Sequence, residues 1–208
     1  MSAPSEALVG IVDDDPSVRK GLARLVKTAG YRVEVFASAR EFLARPPQED
    51  PCCLLLDVRM PGLTGLELQE ALAIAGRRMS IVFVSGHGEV VGTVKAMKGG
   101  AIDFLTKPVD ARELLAAIER AVAKAFTVQR AEADATDVQG RLKTLTAREV
   151  QVFALVVTGM LNKQIAAELG IVEKTVKVHR ARVMEKMRAG SLAELVRLAD
   201  RADIIAKP

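Results

Sequence analysis

The chain has 208 residues, half of them apolar and about a quarter charged, a soluble globular composition sufficient for one large or two small domains and incompatible with disorder throughout. No stretch approaches the ~18 apolar residues of a membrane span and the first eight residues carry no signal-peptide pattern, so a cytoplasmic protein with no membrane partner is expected. The net charge of +4 is unevenly placed: residues 1–125 carry 16 Lys/Arg against 16 Asp/Glu, residues 126–143 carry 3 against 3, and residues 144–208 carry 11 against 7, as in a nucleic-acid-binding module joined to a neutral domain.

Residues 7–12 form an apolar run that predicts a strand ending in Asp13, Asp14 and Asp15. Pro16 opens a helix carrying Val18, Leu22, Leu25, Val26 and Ala29 at helical spacing, with Asp15 as its cap and Gly30 as its end. Residues 31–36 predict a second strand, and Ser38 with Glu41 has capping-box spacing for a short helix through Leu43. In residues 52–57, Cys-Cys-Leu-Leu-Leu-Asp, five apolar residues in a row read as a strand buried on both faces, stopped by Pro61-Gly62. Its adjacent cysteines make neither a disulfide framework nor a metal site and read as small core residues. A helix over 64–75, a strand over 81–84, a helix over 89–98 and a strand over 102–105 follow, and Asp110 with Glu113 caps a helix bearing Leu114, Leu115, Ile118 and Val122.

Strict alternation of five strands and five helices predicts a doubly wound parallel sheet, flavodoxin-like with strand order 2-1-3-4-5, whose strand ends share one edge. Asp13 and Asp14 end strand 1, Asp57 ends strand 3, Ser85 ends strand 4 and Lys107 follows strand 5. Three converging carboxylates repel one another unless a cation lies between them, and all-oxygen ligation suits Mg²⁺. Lys107 and a hydroxyl beside such a site suit a phosphoryl group.

These residues carry a family resemblance. Asp13-Asp14, Asp57 with Met60-Pro61-Gly62, Ser85 and Lys107-Pro108 resemble the receiver domain of two-component response regulators over roughly residues 6–125. Ser85-Gly86-His87-Gly88 and Ala96-Met97-Lys98-Gly99-Gly100-Ala101 are similar to the FixJ subgroup. The resemblance implies that Asp57 accepts a phosphoryl group from a histidine kinase, with Mg²⁺ held by Asp13, Asp14, Asp57 and the main-chain carbonyl of Arg59. It implies that Ser85 and Lys107 bind the phosphoryl oxygens, that Phe104 is the switch aromatic, and that the Lys107-Pro108 bond is cis. Phe104 as plain core is the alternative. His87 reads as a phosphate ligand or competing acceptor, or as a residue that only shapes its loop.

Residues 126–143 have no apolar stripe beyond Val128 and Val138 and read as a linker, helical at first, with 137–140 as its flexible part. The receiver then occupies 1–125 and a four-helix domain 144–208. Thr146 with Glu149 has capping-box spacing for a helix bearing Val150, Phe153, Ala154 and Val157, ended by Gly159. Asn162 is expected to cap a second helix, closed by Gly170, and a basic third helix over 173–187 completes a helix-turn-helix pattern.

At 100° per residue, Val176, Val183 and Met187 of this third helix share one side and face the core. Lys174, Lys177, Val178, Ala181 and Arg182 point away, a combination suited to a major groove, where Lys reaches guanine and small apolar groups touch thymine methyls. An ordinary solvated face would look similar, apart from its excess of four Lys/Arg over Asp/Glu between Glu173 and Arg188.

Leu145-Thr146-Ala147-Arg148-Glu149, Asn162-Lys163-Gln164-Ile165-Ala166 and Lys174-Thr175-Val176-Lys177-Val178-His179 resemble the LuxR-type helix-turn-helix domain of the NarL/FixJ family. This implies base contacts by Lys177, Val178 and Ala181, and phosphate proximity for Thr175, His179 and Lys186, with a buried hydrogen-bonding role as the alternative for His179. The last helix, with Leu195, Val196 and Leu198, resembles the family's dimer-forming element, although packing on its own domain would use the same residues. Together the resemblances imply a transcription regulator, not an enzyme, that binds double-stranded DNA and forms a homodimer when phosphorylated.

Overall fold

The computed structural model describes residues 7–47, 50–86 and 90–201, which leaves His87 and Glu89 outside the described residues. The chain divides into two compact units, Met1–Val128 and Gln129–Pro208.

In the first unit, β1 (Leu8–Val12), β2 (Arg32–Phe36), β3 (Cys53–Asp57), β4 (Ile81–Ser85) and β5 (Asp103–Thr106) form one sheet in the order β2-β1-β3-β4-β5. All four pairings are parallel, so every strand runs to the same edge. Every residue of β3 is buried, which is what a continuous apolar run requires of a central strand. Leu54, Leu55 and Leu56 are each 1% exposed or less, a burial that stabilises by roughly 2 kcal/mol per side chain.

Strand alternation divides the core. Val9, Ile11, Leu55, Val82 and Val84 pack with Leu22 and Val26 of α1 (Pro16–Thr28) and with Leu114 and Ile118 of α5 (Ala111–Leu142). Leu54, Leu56 and Phe83 pack with Phe42 of α2 (Ala39–Leu43), Leu68 and Leu72 of α3 (Gly65–Ile74), and Ala96 of α4 (Val90–Lys98). Helices therefore cover both faces, as expected of a doubly wound sheet.

The caps form where local chemistry requires them. Asp15 Oδ1 accepts from the Ser17 and Val18 amides at 2.7 and 3.3 Å, and Thr64 with Glu67 forms a full capping box. Gln69 of α3 is a polar side chain buried in this core, and its Nε2 donates to the Ala96 carbonyl at 3.1 Å.

Helix α5 runs on to Leu142, through residues 137–140 where the sequence suggests flexible chain. Ala, Glu, Gln and Arg hold the helix, an Asp137–Arg141 pair at i,i+4 braces it, and Val138 is only 2% exposed. Buried with the second unit's own residues, Val138 is core material and not linker.

The second unit also contains α6 (Ala147–Val157), α7 (Asn162–Leu169), α8 (Glu173–Met187) and α9 (Leu192–Arg201). Thr146 and Glu149 form the expected capping box. The start of α7 differs from expectation: Leu161 is the N-cap and gives no side-chain cap, while Gln164 Oε1 accepts from the Leu161 amide at 2.8 Å. Asn162 is drawn away because its Oδ1 accepts from Arg180 of α8 at 3.1 Å. Gly170 closes α7 in the left-handed conformation, where a Cβ would be strained. Leu195, Leu198 and Ala199 of α9 are buried among this unit's core residues, with Val176, Val183 and Met187 of α8. Packing on its own domain thus accounts for Leu195 and Leu198.

Candidate functional site

The register of the sheet assembles the first site. Val12 pairs with Leu56, so Asp13 and Asp57 are the next residues along neighbouring strands. Ser85 pairs with Thr106, which brings Lys107 to the same edge. Asp13, Asp14 and Asp57 each offer a carboxylate oxygen within 4.8 Å of the others. Asp13 and Asp57 are buried, at 1% and 7% exposure, while Asp14 faces solvent. Two walled-in carboxylates with a third open to water form a donor set that suits a hard divalent cation retaining part of its hydration.

Lys107 Nζ lies 2.7 Å from Asp13 Oδ2 and 3.4 Å from Asp57 Oδ2. Burial holds the Asp57 carboxyl above its ordinary range; Lys107 pulls it back, and the negative charge of Asp13 adds to the rise. Burial works to lower the Lys107 ammonium, but its hydrogen bond to Asp13 and the charge of Asp57 outweigh this and leave it raised. The Lys107-Pro108 bond is cis. Ser85 is 1% exposed, and its carbonyl accepts from the Lys107 amide at 2.7 Å. Phe104 is half-buried and stacks on Phe83, with centroids 6.1 Å apart. Arg59 is exposed just beyond the strand, and its main-chain N–H donates to Asp57.

Two supporting residues escape a reading by motif. Arg19 of α1 donates to the Asp13 main-chain carbonyl and so braces the loop that carries the acidic pair. Gly65 opens α3 against β3: a Cβ there would come within 2.1 Å of the Asp57 carbonyl oxygen. The glycine was visible in sequence, but its partner was not.

The second site is the outer side of α8. Lys174, Lys177, Val178, Ala181 and Arg182 are all exposed, and Val178 is 46% exposed for a β-branched apolar side chain. Thr175 and His179 are half-buried, and His179 Nδ1 is buried without a hydrogen-bond partner. Lys177 pairs loosely with Glu173, 3.3 Å away on the same exposed face, a contact too solvated to hold the lysine in place. Lys186, expected near phosphates, is already engaged inside the domain: its Nζ donates to Glu149 Oε2 at 2.6 Å and to the Thr144 carbonyl at 3.0 Å. Glu149 is 2% exposed, and the Lys186 and Thr146 bonds hold its carboxyl down to about 2.

The α8 helix is held at its middle and at its C-terminal end. The Asn162–Arg180 bond ties it to the start of α7, and Arg141 Nη1 donates to the Met187 carbonyl at 3.0 Å. An exposed basic face on a helix fixed in this way can enter a groove without first being ordered.

Residues 9–119 match the family pattern of the response regulator receiver domain, and residues 143–199 that of the bacterial regulatory proteins of the luxR family. The chain is similar to nodulation protein W of Bradyrhizobium diazoefficiens, 45% identical over 98% of this chain and 90% of that one. It is 44% identical to the transcriptional regulatory protein FixJ of Rhizobium meliloti over 92% of this chain and 94% of that one. Among solved structures it resembles the response regulator StyR, with a TM-score of 0.84 at 46% identity over 93% of this chain and 98% of that one. Full-length FixJ from B. japonicum gives a TM-score of 0.60 at 41% identity, covering 97% and 100% of the two chains.

Proposed function

The chain belongs to the two-component response regulators that join a receiver domain to a LuxR-type DNA-binding domain, and we propose that a phosphoryl group accepted by Asp57 from a sensor histidine kinase governs its binding to DNA. The observation that carries this reading is the cluster of Asp13, Asp14 and Asp57 within 4.8 Å, with Lys107 beside it.

In the proposed reaction an Asp57 carboxylate oxygen attacks phosphorus, the bond from phosphorus to the donor nitrogen breaks, and an acyl phosphate forms. Burial supports this role, because a desolvated carboxylate is a better nucleophile than a hydrated one. Mg²⁺ bound by Asp13, Asp14, Asp57 and the Arg59 carbonyl would neutralise charge on the transferring group. Lys107 exchanges part of its ion pair with Asp13 for one with the phosphoryl oxygens, and the Ser85 hydroxyl donates to another. Asp57 modifies itself once per phosphorylation, so the protein is a phosphoacceptor rather than an enzyme.

The new group adds about −1.5 to −2 charges at pH 7. Phe104 and the adjoining α4–β5 face answer it, and the protein dimerises. Paired α8 helices then enter successive major grooves of duplex DNA, with Lys177, Val178 and Ala181 toward bases and Lys174, Thr175 and Arg182 toward bases or backbone. Lys186 supports the helix from within, through Glu149 and the Thr144 carbonyl. Among the described residues no helix is long and apolar enough to cross a membrane, which is compatible with a cytoplasmic site of action.

Acetyl phosphate with Mg²⁺ tests the reading. The wild-type protein takes up label and protects duplex DNA in footprinting at lower concentration than before. Label retained by Asp57→Asn would refute the assignment of the acceptor.

A further inference from the structure

The motif Ala96-Met97-Lys98-Gly99-Gly100-Ala101 has a physical reading that involves a residue outside it. Gly100 takes φ +89, the left-handed turn that ends α4. The Ala96 carbonyl accepts twice, from the Ala101 amide at 3.2 Å and from Gln69 Nε2 of α3 at 3.1 Å. Gly99 is needed for close approach: a Cβ there would come 2.6 Å from Gln69 Oε1 and 2.9 Å from Nε2. Gln69 is 8% exposed, so its amide has little water to fall back on.

Gln69 also sits one helical turn after Gly65, whose backbone abuts the Asp57 carbonyl and whose amide donates to the Val58 carbonyl at 3.0 Å. Helix α3 is thus wedged against the end of β3 at its start and tied to the last turn of α4 through Gln69. Because α3 cannot slide without losing the bond from the Gly65 amide to the Val58 carbonyl, and α4 cannot slide without breaking the Gln69 bond to Ala96, the last turn of α4 is a fixed point.

Resting on the phosphorylation reading above, we propose that Gln69 is a positioning residue for the response: it pins the C-terminal turn of α4 to α3, so that α4 moves as a lever about that end when Asp57 is modified. The part that swings carries Val94, 50% exposed, and Met97 lies beside the pivot at 45%. Re-aiming an apolar side chain such as Val94 changes what the face can bind. Without the pin, α4 shifts as a whole and the same event at Asp57 gives a weaker change at the surface.

The test uses the full chain as wild type, Gln69→Met, Gly99→Ala and the double variant. Gln69→Met keeps length and apolar packing but has no donor. Gly99→Ala displaces the amide with a methyl group and leaves Gln69 in place. Labelling by acetyl phosphate with Mg²⁺ and affinity for a duplex selected by the wild type from a randomised pool are measured together, with melting temperature and hydrogen exchange over residues 97–101. Both single variants should label like wild type, exchange faster at the end of α4, and lose about fivefold or more of the phosphorylation-dependent gain in affinity. The double variant should be no worse than either alone, since both remove one contact. A full gain in Gln69→Met, or a fall in labelling and melting temperature with the gain unchanged, overturns the pin and leaves the phosphorylation reading standing. A wild type that takes no label overturns both.

Discussion

Lys107 Nζ is nearer to Asp13, at 2.7 Å, than to Asp57, at 3.4 Å. Its shorter resting contact is with Asp13, and the proposed acceptor is the longer of its two partners. A divalent cation at Asp13 must therefore compete with an ammonium already in place. Lys107→Met should bind Mg²⁺ about tenfold more tightly by titration calorimetry, equivalent to ~1.4 kcal/mol, while losing the phosphorylation-dependent gain in DNA affinity. Unchanged Mg²⁺ affinity would mean that the lysine does not compete.

Asp57 is raised above its ordinary 3.8, by burial first and by Asp13 among the charges, against the pull of Lys107. A carboxyl raised in the folded state contributes most when protonated, below 3.8, and that contribution is lost as pH rises through its folded value. At pH 7 the ionised group therefore opposes folding. Asp57→Asn keeps the shape without the charge, and should melt higher at pH 7 by roughly 2–8 °C for each kcal/mol gained. The advantage should vanish near pH 3, about where the ordinary carboxyl protonates. A lower melting temperature for the variant at pH 7 would contradict the sign.

Glu149 shows the opposite behaviour. Lys186 and the Thr146 amide hold it down from 4.5 to about 2, so its contribution is present above 4.5 and disappears as pH falls through about 2. Lys186→Met should destabilise the fragment 129–208 by about 2 kcal/mol in urea at neutral pH, below the cost of breaking a fully buried pair. The discount follows from the lysine side chain, which remains 32% exposed. The gap between variant and wild type should close in acid; a constant gap would assign the loss to packing.

Val138 packs in the core of the second unit, and Arg141 of α5 bonds the C-terminal end of α8. A fragment beginning at residue 144 should consequently be less stable than one beginning at 129 by about 2–3 kcal/mol, from one buried valine and one hydrogen bond. Equal urea midpoints and slopes would show that the segment is dispensable.

Much of the fold could be read because its signals are local. The buried run of β3, the caps at Asp15, Ser38 and Thr146, and the glycine stops of α6 and α7 each depend on a few neighbouring residues. Strand ends then placed Asp13, Asp14 and Asp57 together, because a parallel sheet has a single C-terminal edge. What stayed hidden was decided between distant residues. Asn162 has every local mark of a helix cap, yet it serves Arg180, 18 positions away. Lys186 looked free until Glu149, 37 positions earlier, occupied it. Gln69 gave one faint sign, an uncharged polar residue at the apolar position between Leu68 and Leu72, and its partner lies 27 residues on.

The neighbouring thiols of the central strand differ sharply in access. Cys52 is half-buried just before the strand, whereas Cys53 opens it wholly buried beside Val9 of β1, and burial pushes its thiol far up. An alkylating reagent should mark the first readily and reach the second only when the sheet comes apart. The receiver thereby carries its own stopwatch: the slow phase of cysteine labelling records how often its heart opens, with no dye or tag attached.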